Sequence, residues 1–82
     1  MTKDMIVETT SVLEARALAE LVALASKFSS NIIVTMDEKK VNMKSIMGML
    51  GLGLDTGKTI CIEALGEDEA EALTAIEKFL RS

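Results

Sequence analysis

Apolar and polar residues alternate along several stretches of the chain, which is the period expected when one face of a β-strand is buried. Residues 5–9, 31–36 and 59–64 follow this pattern and are rich in Ile, Val, Met or Thr. Val41 begins a further short apolar stretch after the polar segment 37–40. The pattern therefore predicts four strands, with the second and third joined as a hairpin.

Other apolar residues recur at helical spacing. They predict a first helix over residues 15–28, a short helix over 45–52 and a last helix that begins within 66–69. The last helix has a clear apolar stripe, formed by Leu73, Ile76 and Leu80. Near its start, Asp68 and Glu71 have the spacing of a capping box.

The predicted order of elements is β-α-β-β-α-β-α. Such an order favours an α+β fold in which helices pack on one face of a sheet, and nothing in the pattern divides residues 1–82 into more than one domain. A βαββαβ ferredoxin-like fold shares much of this order, so periodicity alone does not separate the two.

The composition of the chain disfavours several classes of function. The formal net charge of −4 disfavours nucleic acid as a direct partner, because binding phosphates requires a basic patch. The single cysteine, Cys61, has no partner for a disulfide within the chain, and the chain contains no histidine that could activate it as a nucleophile. We expect a protein that is not an enzyme and needs no cofactor or metal.

The chain shows neither a secretory signal nor a membrane span. The longest apolar uncharged run, residues 45–54, is about half of the roughly 20 residues that a membrane helix needs. We therefore expect a cytoplasmic protein that does not associate with membranes.

Ser45 directly precedes the short predicted helix. Its hydroxyl is suited to cap that helix by accepting a backbone N–H bond. The same position also suits a phosphorylated serine, because a phosphate there meets unsatisfied N–H groups. The two roles are compatible.

The short helix is apolar on more than one side, owing to Ile46, Met47, Met49 and Leu50. One interpretation is a helix packed entirely in the core. The other is an exposed apolar patch that binds partners, for which flexible methionine side chains are well suited.

Two segments of the chain resemble the two functional segments of HPr, the small phosphocarrier of the bacterial sugar phosphotransferase system. They are Lys44-Ser45-Ile46-Met47-Gly48, which matches the Gram-positive form of the family without a departure, and residues 11–17. The resemblance extends over essentially the whole chain. It implies the HPr fold, an open-faced β-sandwich in which three helices cover one face of a four-stranded antiparallel sheet.

The resemblance also implies partners and sites. In Gram-positive HPr the serine of the matching segment is phosphorylated by HPr kinase/phosphorylase, and the product is a corepressor for catabolite control protein A. By this resemblance Ser45 is the regulatory phosphorylation site. The partner-binding residues carried over are Arg16, Ile46, Met47 and Leu50.

The other segment departs from the family. Glu14 stands where HPr has its phosphohistidine, Val12 replaces the usual glycine and Ala17 replaces the usual proline. Glutamate cannot form a phosphohistidine, so we expect no phosphocarrier residue. A catabolite-repression member of the family in bacilli also lacks the histidine and acts only in regulation, although it keeps the glycine and the proline. Ser11 and Glu14 also have capping-box spacing, so Glu14 is alternatively a helix-start residue.

Three functions stay open at this point. The first is a regulator of carbon catabolite repression that is phosphorylated on Ser45. The second is a component of the phosphotransferase system, and the third is a diverged binding protein that occupies enzyme I or sugar-specific IIA domains without carrying phosphate. In the third, Glu14 mimics a phosphorylated histidine. The resemblance also leaves a homodimer open, because related regulatory members of the family can dimerise by exchanging the first strand, although nothing in this sequence demands it. A fourth hypothesis, an acyl carrier protein, is disfavoured by the segment around Ser45 and by the predicted strands.

Overall fold

A computed structural model describes residues 1–8 and 15–81, the side chain of Ala15 excepted. The described elements are, in chain order, β1 (Thr2–Ile6), α1 (Ala15–Ser26), β2 (Asn31–Met36), β3 (Lys39–Asn42), α2 (Ile46–Leu52), β4 (Thr59–Leu65) and α3 (Glu69–Arg81). The predicted order of elements is confirmed.

The four strands form one antiparallel sheet in the order β1-β4-β2-β3. In the central pair, Val34 of β2 lies opposite Ile62 of β4. In the outer pair, Thr2 of β1 lies opposite Glu63 of β4. The two inner strands, β2 and β4, are thus each paired on both sides. Both are mostly apolar, as expected for strands in the middle of a sheet.

Side chains alternate across the sheet, because successive residues of a strand point to opposite faces. Ile60, Ile62 and Ala64 of β4 are buried, whereas Cys61 and Glu63 are only partly covered. The buried face packs with the apolar sides of the helices in one hydrophobic core. This confirms the α+β open-faced sandwich that the family resemblance implies.

Several boundaries differ from the predicted ones. β1 begins at Thr2, three residues before the predicted start, and β3 begins at Lys39 rather than Val41. The first helix ends at Ser26 instead of residue 28, because the N–H groups of Lys27 and Phe28 turn to the carbonyls three residues back. β1 also ends at Ile6, so Val7 and Glu8 of the predicted strand lie beyond it, and Thr9, the last residue of that prediction, lies outside the described residues.

Among the described residues, no helix combines the length and the apolar character that crossing a membrane would require.

The connection between α1 and β2 is fixed to the start of α3 by Asp68. Its carboxylate accepts bonds from the backbone N–H of Ser29 (2.8 Å), the backbone N–H of Ser30 (3.0 Å) and the buried Ser30 hydroxyl. The capping-box spacing predicted that Asp68 would cap its own helix, α3. Its carboxylate instead binds the loop between α1 and β2. At the same corner Gly66 lies against Ser30, so that a Cβ at residue 66 would lie 2.7 Å from the Ser30 Cα.

These bonds make Asp68 a source of acid sensitivity. The bond from the Ser30 hydroxyl, followed by that from the Ser29 N–H, lowers the pKa of Asp68 from 3.8 to about 2. Since the pKa is lower in the folded protein than in the unfolded chain, the stabilisation is complete above about pH 4 and is lost as the pH falls through about 2. We expect Asp68→Asn to have a lower melting temperature than the wild type at pH 7. The difference between the two melting temperatures should become smaller as the pH falls towards 2.

Thermal unfolding followed by far-ultraviolet circular dichroism from pH 7 to pH 2 checks this. Glu71→Gln is the matched control, since it removes the same charge from an exposed position of α3. A constant difference between wild type and Asp68→Asn across the acid range would contradict the assignment.

Candidate functional site

The site is built around a tight connection between β3 and α2. The side-chain oxygen of Asn42 accepts a bond from the Lys44 N–H (2.9 Å), and its carbonyl accepts one from the Ser45 N–H (3.0 Å). Asparagine commonly forms such local bonds to the backbone two residues on. Asn42 thus turns the chain at the end of β3 and delivers Ser45 to the start of α2.

Ser45 is the N-cap of α2, as its position in the sequence predicts. Its backbone is extended (φ −100°, ψ 112°), its Oγ accepts a bond from the Gly48 N–H at 3.1 Å, and its carbonyl accepts one from the Met49 N–H at 3.0 Å. The residue is exposed. The hydroxyl therefore stabilises the helix while remaining reachable from solvent, and a hydroxyl in this position can be esterified without first unfolding the chain.

Gly48 makes room for this cap. A Cβ at residue 48 would lie 3.3 Å from the Ser45 Oγ and 3.4 Å from the Val41 Cβ, which is close for both atoms. The glycine of the Lys44–Gly48 segment thus has a local structural role beside Ser45.

Lys44 is engaged within the protein. Its Nζ donates to the carbonyl of Phe28 at 2.7 Å, just beyond the end of α1, where the carbonyl end of a helix favours a positive charge. This bond joins the residue before Ser45 to the loop that Asp68 holds from the other side. No motif or spacing in the sequence signals this role of Lys44.

The α2 patch, defined as Ile46, Met47 and Leu50, is exposed. The exposed fractions of these side chains are 37%, 77% and 50%, whereas Met49 and Leu52 on the opposite side of the helix are buried in the core. Of the two interpretations, the structure excludes a helix packed entirely in the core. An exposed apolar patch of this kind is typical of a surface that binds another protein.

Arg16 lies in the first turn of α1 and its side chain is 90% exposed. Its Nε lies 3.9 Å from Oε1 of Glu20, one turn along the helix, a solvent-exposed pair of low energy. Among the described residues, no hydrogen bond or ion pair joins Arg16 to Ser45. Ala17, where the family resemblance leads one to expect proline, is buried in α1, and Glu14 lies outside the described residues.

Cys61 lies on the face of the sheet opposite the helices and is partly covered. Burial, together with the neighbouring carboxylate of Asp4, raises the pKa of its thiol. A thiol of this kind holds little of the reactive thiolate at neutral pH, which agrees with the expectation that Cys61 is not activated as a nucleophile.

Comparisons with known proteins agree on one family. The sequence model described as "PTS HPr component phosphorylation site" matches residues 1–82. The HPr-like protein Crh of Halalkalibacterium halodurans is 41% identical over 78 residues, which cover 95% of this chain and 93% of the relative.

Solved structures give the same result. The phosphocarrier protein HPr from Bacillus anthracis superposes with a TM-score of 0.91 at 38% identity, covering 96% of this chain and 94% of that one. A crystal structure of Bacillus subtilis Crh, described as a catabolite repression protein with a swapped domain in a dimer, has a TM-score of 0.77 at 41% identity, covering 83% and 78%. The similar proteins thus include both a phosphocarrier and catabolite-repression proteins.

Proposed function

This chain belongs to the HPr family, and on that premise we propose that it is a regulator phosphorylated on Ser45 by HPr kinase/phosphorylase. Once phosphorylated, it acts in carbon catabolite regulation as the corepressor of a transcription regulator of the catabolite control protein A type. The observation that carries the proposal is the exposed Ser45 hydroxyl at the start of α2, inside the segment that matches Gram-positive HPr.

The sequence supports regulation over phosphotransfer. The chain contains no histidine, and Glu14 occupies the phosphohistidine position. A carboxylate is not an imidazole nucleophile, so the transfer chemistry of a phosphocarrier has no residue to carry it. The similarity to Crh, whose name in solved structures refers to catabolite repression, supports an HPr-like regulatory role.

The proposed partner surface consists of the α2 patch and Arg16. A phosphate on Ser45 adds about −1.5 to −2 charge next to three exposed apolar side chains. Such a surface offers an anion for positive groups of a partner and an apolar area for burial. Among the described residues, Arg16 makes only its weak pair with Glu20, which leaves it available to a carboxylate of a partner.

A homodimer formed by exchange of β1 belongs to the same proposal. β1 is an edge strand that pairs with β4 alone, so the same pairing is open to the β1 of a second copy. The support comes from the swapped dimer described for Bacillus subtilis Crh.

Phosphorylation by purified HPr kinase/phosphorylase with ATP tests the proposal. We expect intact-mass spectrometry to show one added phosphate on the wild type and none on Ser45→Asn. Asparagine caps helices about as well as serine but has no hydroxyl, so this variant removes the acceptor and keeps the fold.

Ser26→Ala is the matched control, because Ser26 is also exposed and its hydroxyl only donates to the Val22 carbonyl. It should be phosphorylated like the wild type. A wild type that remains unmodified would refute the proposal and favour the diverged protein that binds enzyme I or sugar-specific IIA domains without carrying phosphate.

A further inference from the structure

The methionines of this protein fall into two classes by exposure. Four are buried in the core, and their exposed fractions are 5% or less: Met5, Met36, Met43 and Met49. The two others are Met1, 53% exposed, and Met47, 77% exposed. Met47 has the largest exposed fraction of the described large apolar side chains and belongs to the α2 patch with Ile46 and Leu50.

We propose that Met47 is a reversible oxidation site, and that its conversion to methionine sulfoxide by hydrogen peroxide prevents docking at the α2 patch while leaving the fold intact. The docking half of this inference rests on the proposed function. The oxidation of Met47 follows from the exposed fraction of its side chain and does not depend on the proposed function.

The chemistry needs only peroxide. A lone pair of the Met47 sulfur attacks one peroxide oxygen, the O–O bond breaks, and the departing hydroxide takes a proton and leaves as water. The sulfur is oxidised and the peroxide is reduced. In the reverse direction, a methionine sulfoxide reductase returns the oxygen as water while two thiols become a disulfide.

The exposed position explains why the fold survives. Met47 points away from the core, and the core position of this helix belongs to Met49, which is fully buried two residues later. A sulfoxide at residue 47 is hydrated by solvent in the free protein, so it costs little. The same group at residue 49 would be placed among apolar side chains without a hydrogen-bond donor.

The effect on docking follows from the same principle. Ile46 and Met47 precede Leu50 by four and three residues of α2, the spacings at which helix side chains are neighbours, and all three are exposed. An apolar partner surface that covers Ile46 and Leu50 therefore also contacts residue 47. Burying the polar S=O group there removes the water molecules that donate hydrogen bonds to it, and an apolar partner surface supplies no other donor. Oxidation therefore lowers the affinity for the partner and leaves the stability of the fold nearly unchanged.

The test uses the full chain carrying Cys61→Ser, which removes its one thiol and leaves the methionine sulfurs as the groups that peroxide oxidises. Peptide mass spectrometry at successive times of peroxide treatment measures oxidation at each methionine. We expect Met47 and Met1 to react about tenfold or more faster than the four buried methionines. Equal rates at Met47 and Met49 would overturn the inference.

The second measurement is the initial rate of phosphorylation by HPr kinase/phosphorylase with ATP. We expect oxidation to lower this rate about tenfold, since a docked methionine loses its apolar burial, and a methionine sulfoxide reductase with a thiol reductant to restore it. Met47→Gln should imitate the oxidised protein without any peroxide. Met47→Leu should keep its rate after treatment, although its Met1 is oxidised.

The outcomes separate the two proposals. A normal rate for the protein oxidised at Met47 overturns the inference and leaves the proposed function standing. An untreated protein that the kinase does not modify refutes the proposed function and the docking half together. Loss of the circular dichroism signal in the oxidised protein overturns the statement that the fold is intact.

Discussion

Replacing Gly66 with alanine is expected to lower the free energy of unfolding by about 3–5 kcal/mol. A Cβ on residue 66 would lie 2.5 Å from the Ser30 Oγ, 2.7 Å from its Cα and 2.9 Å from its Cβ, and the φ of 155° is one that residues with a side chain rarely adopt. Because the Cα belongs to the backbone, no rotation of the Ser30 side chain relieves the contact.

The measurement is thermal and urea unfolding followed by circular dichroism, with an expected fall in melting temperature of more than about 12 °C. Gly51→Ala is the control: nothing lies within 4 Å of a Cβ there, and the residue is inside α2. That variant should gain about 0.5–1 kcal/mol, because alanine is the better helix former. Similar stabilities for the two variants would show that Gly66 and Ser30 are not in close contact.

Truncating the two methionines of α2 is expected to separate stability from docking. Met49→Ala should lower the free energy of unfolding by about 2–5 kcal/mol, since it empties a fully buried position. Met47→Ala should change the free energy by less than about 0.5 kcal/mol, since that side chain is mostly in solvent. The same variant should nevertheless slow phosphorylation of Ser45, because it removes the most exposed member of the α2 patch.

Urea unfolding and the kinase assay, performed on both variants at a temperature where Met49→Ala is still folded, check this. The folded fraction of Met49→Ala should be phosphorylated at close to the wild-type rate, because its patch is unchanged. Destabilisation by Met47→Ala comparable to that by Met49→Ala would contradict the placement of residue 47 outside the core.

Apolar spacing predicted the elements that depend on burial. β2 was placed at its observed bounds, because Ile32, Val34 and Met36 alternate strictly and all three are buried. The cap by Ser45 was also predicted, since a serine followed at once by an apolar helix has few other structural uses. These features depend on residues that are close in sequence.

The edges of the sheet were harder to predict. Thr2 and Lys3 of β1 are exposed and carry no apolar alternation, yet they pair with Glu63 and Ile62 of β4. Lys39 is in β3 because Asp37 adopts a left-handed φ of 57° and so shortens the turn. Where β1 and β3 begin depends on the neighbouring strand and on the geometry of the turn, and neither is visible in the pattern of apolar residues.

Side-chain bonds over long separations had no sequence signal at all. Asp68 reaches Ser30, and Lys44 reaches Phe28, across intervals in which no motif connects the two residues. The role of Glu14, outside the described residues, stays a prediction, as do the binding roles of Arg16 and the α2 patch.

The strand order has a consequence for how the protein is made. β4 lies between β1 and β2, so the first strand of the chain finds its partner only around residue 63. Until that segment leaves the ribosome, β1 has no neighbour and the β2–β3 hairpin has an unpaired edge. Long sequence separation between paired strands slows folding and leaves apolar strands exposed in the meantime. The sheet is therefore expected to form late, after synthesis has passed β4, with local helices preceding it.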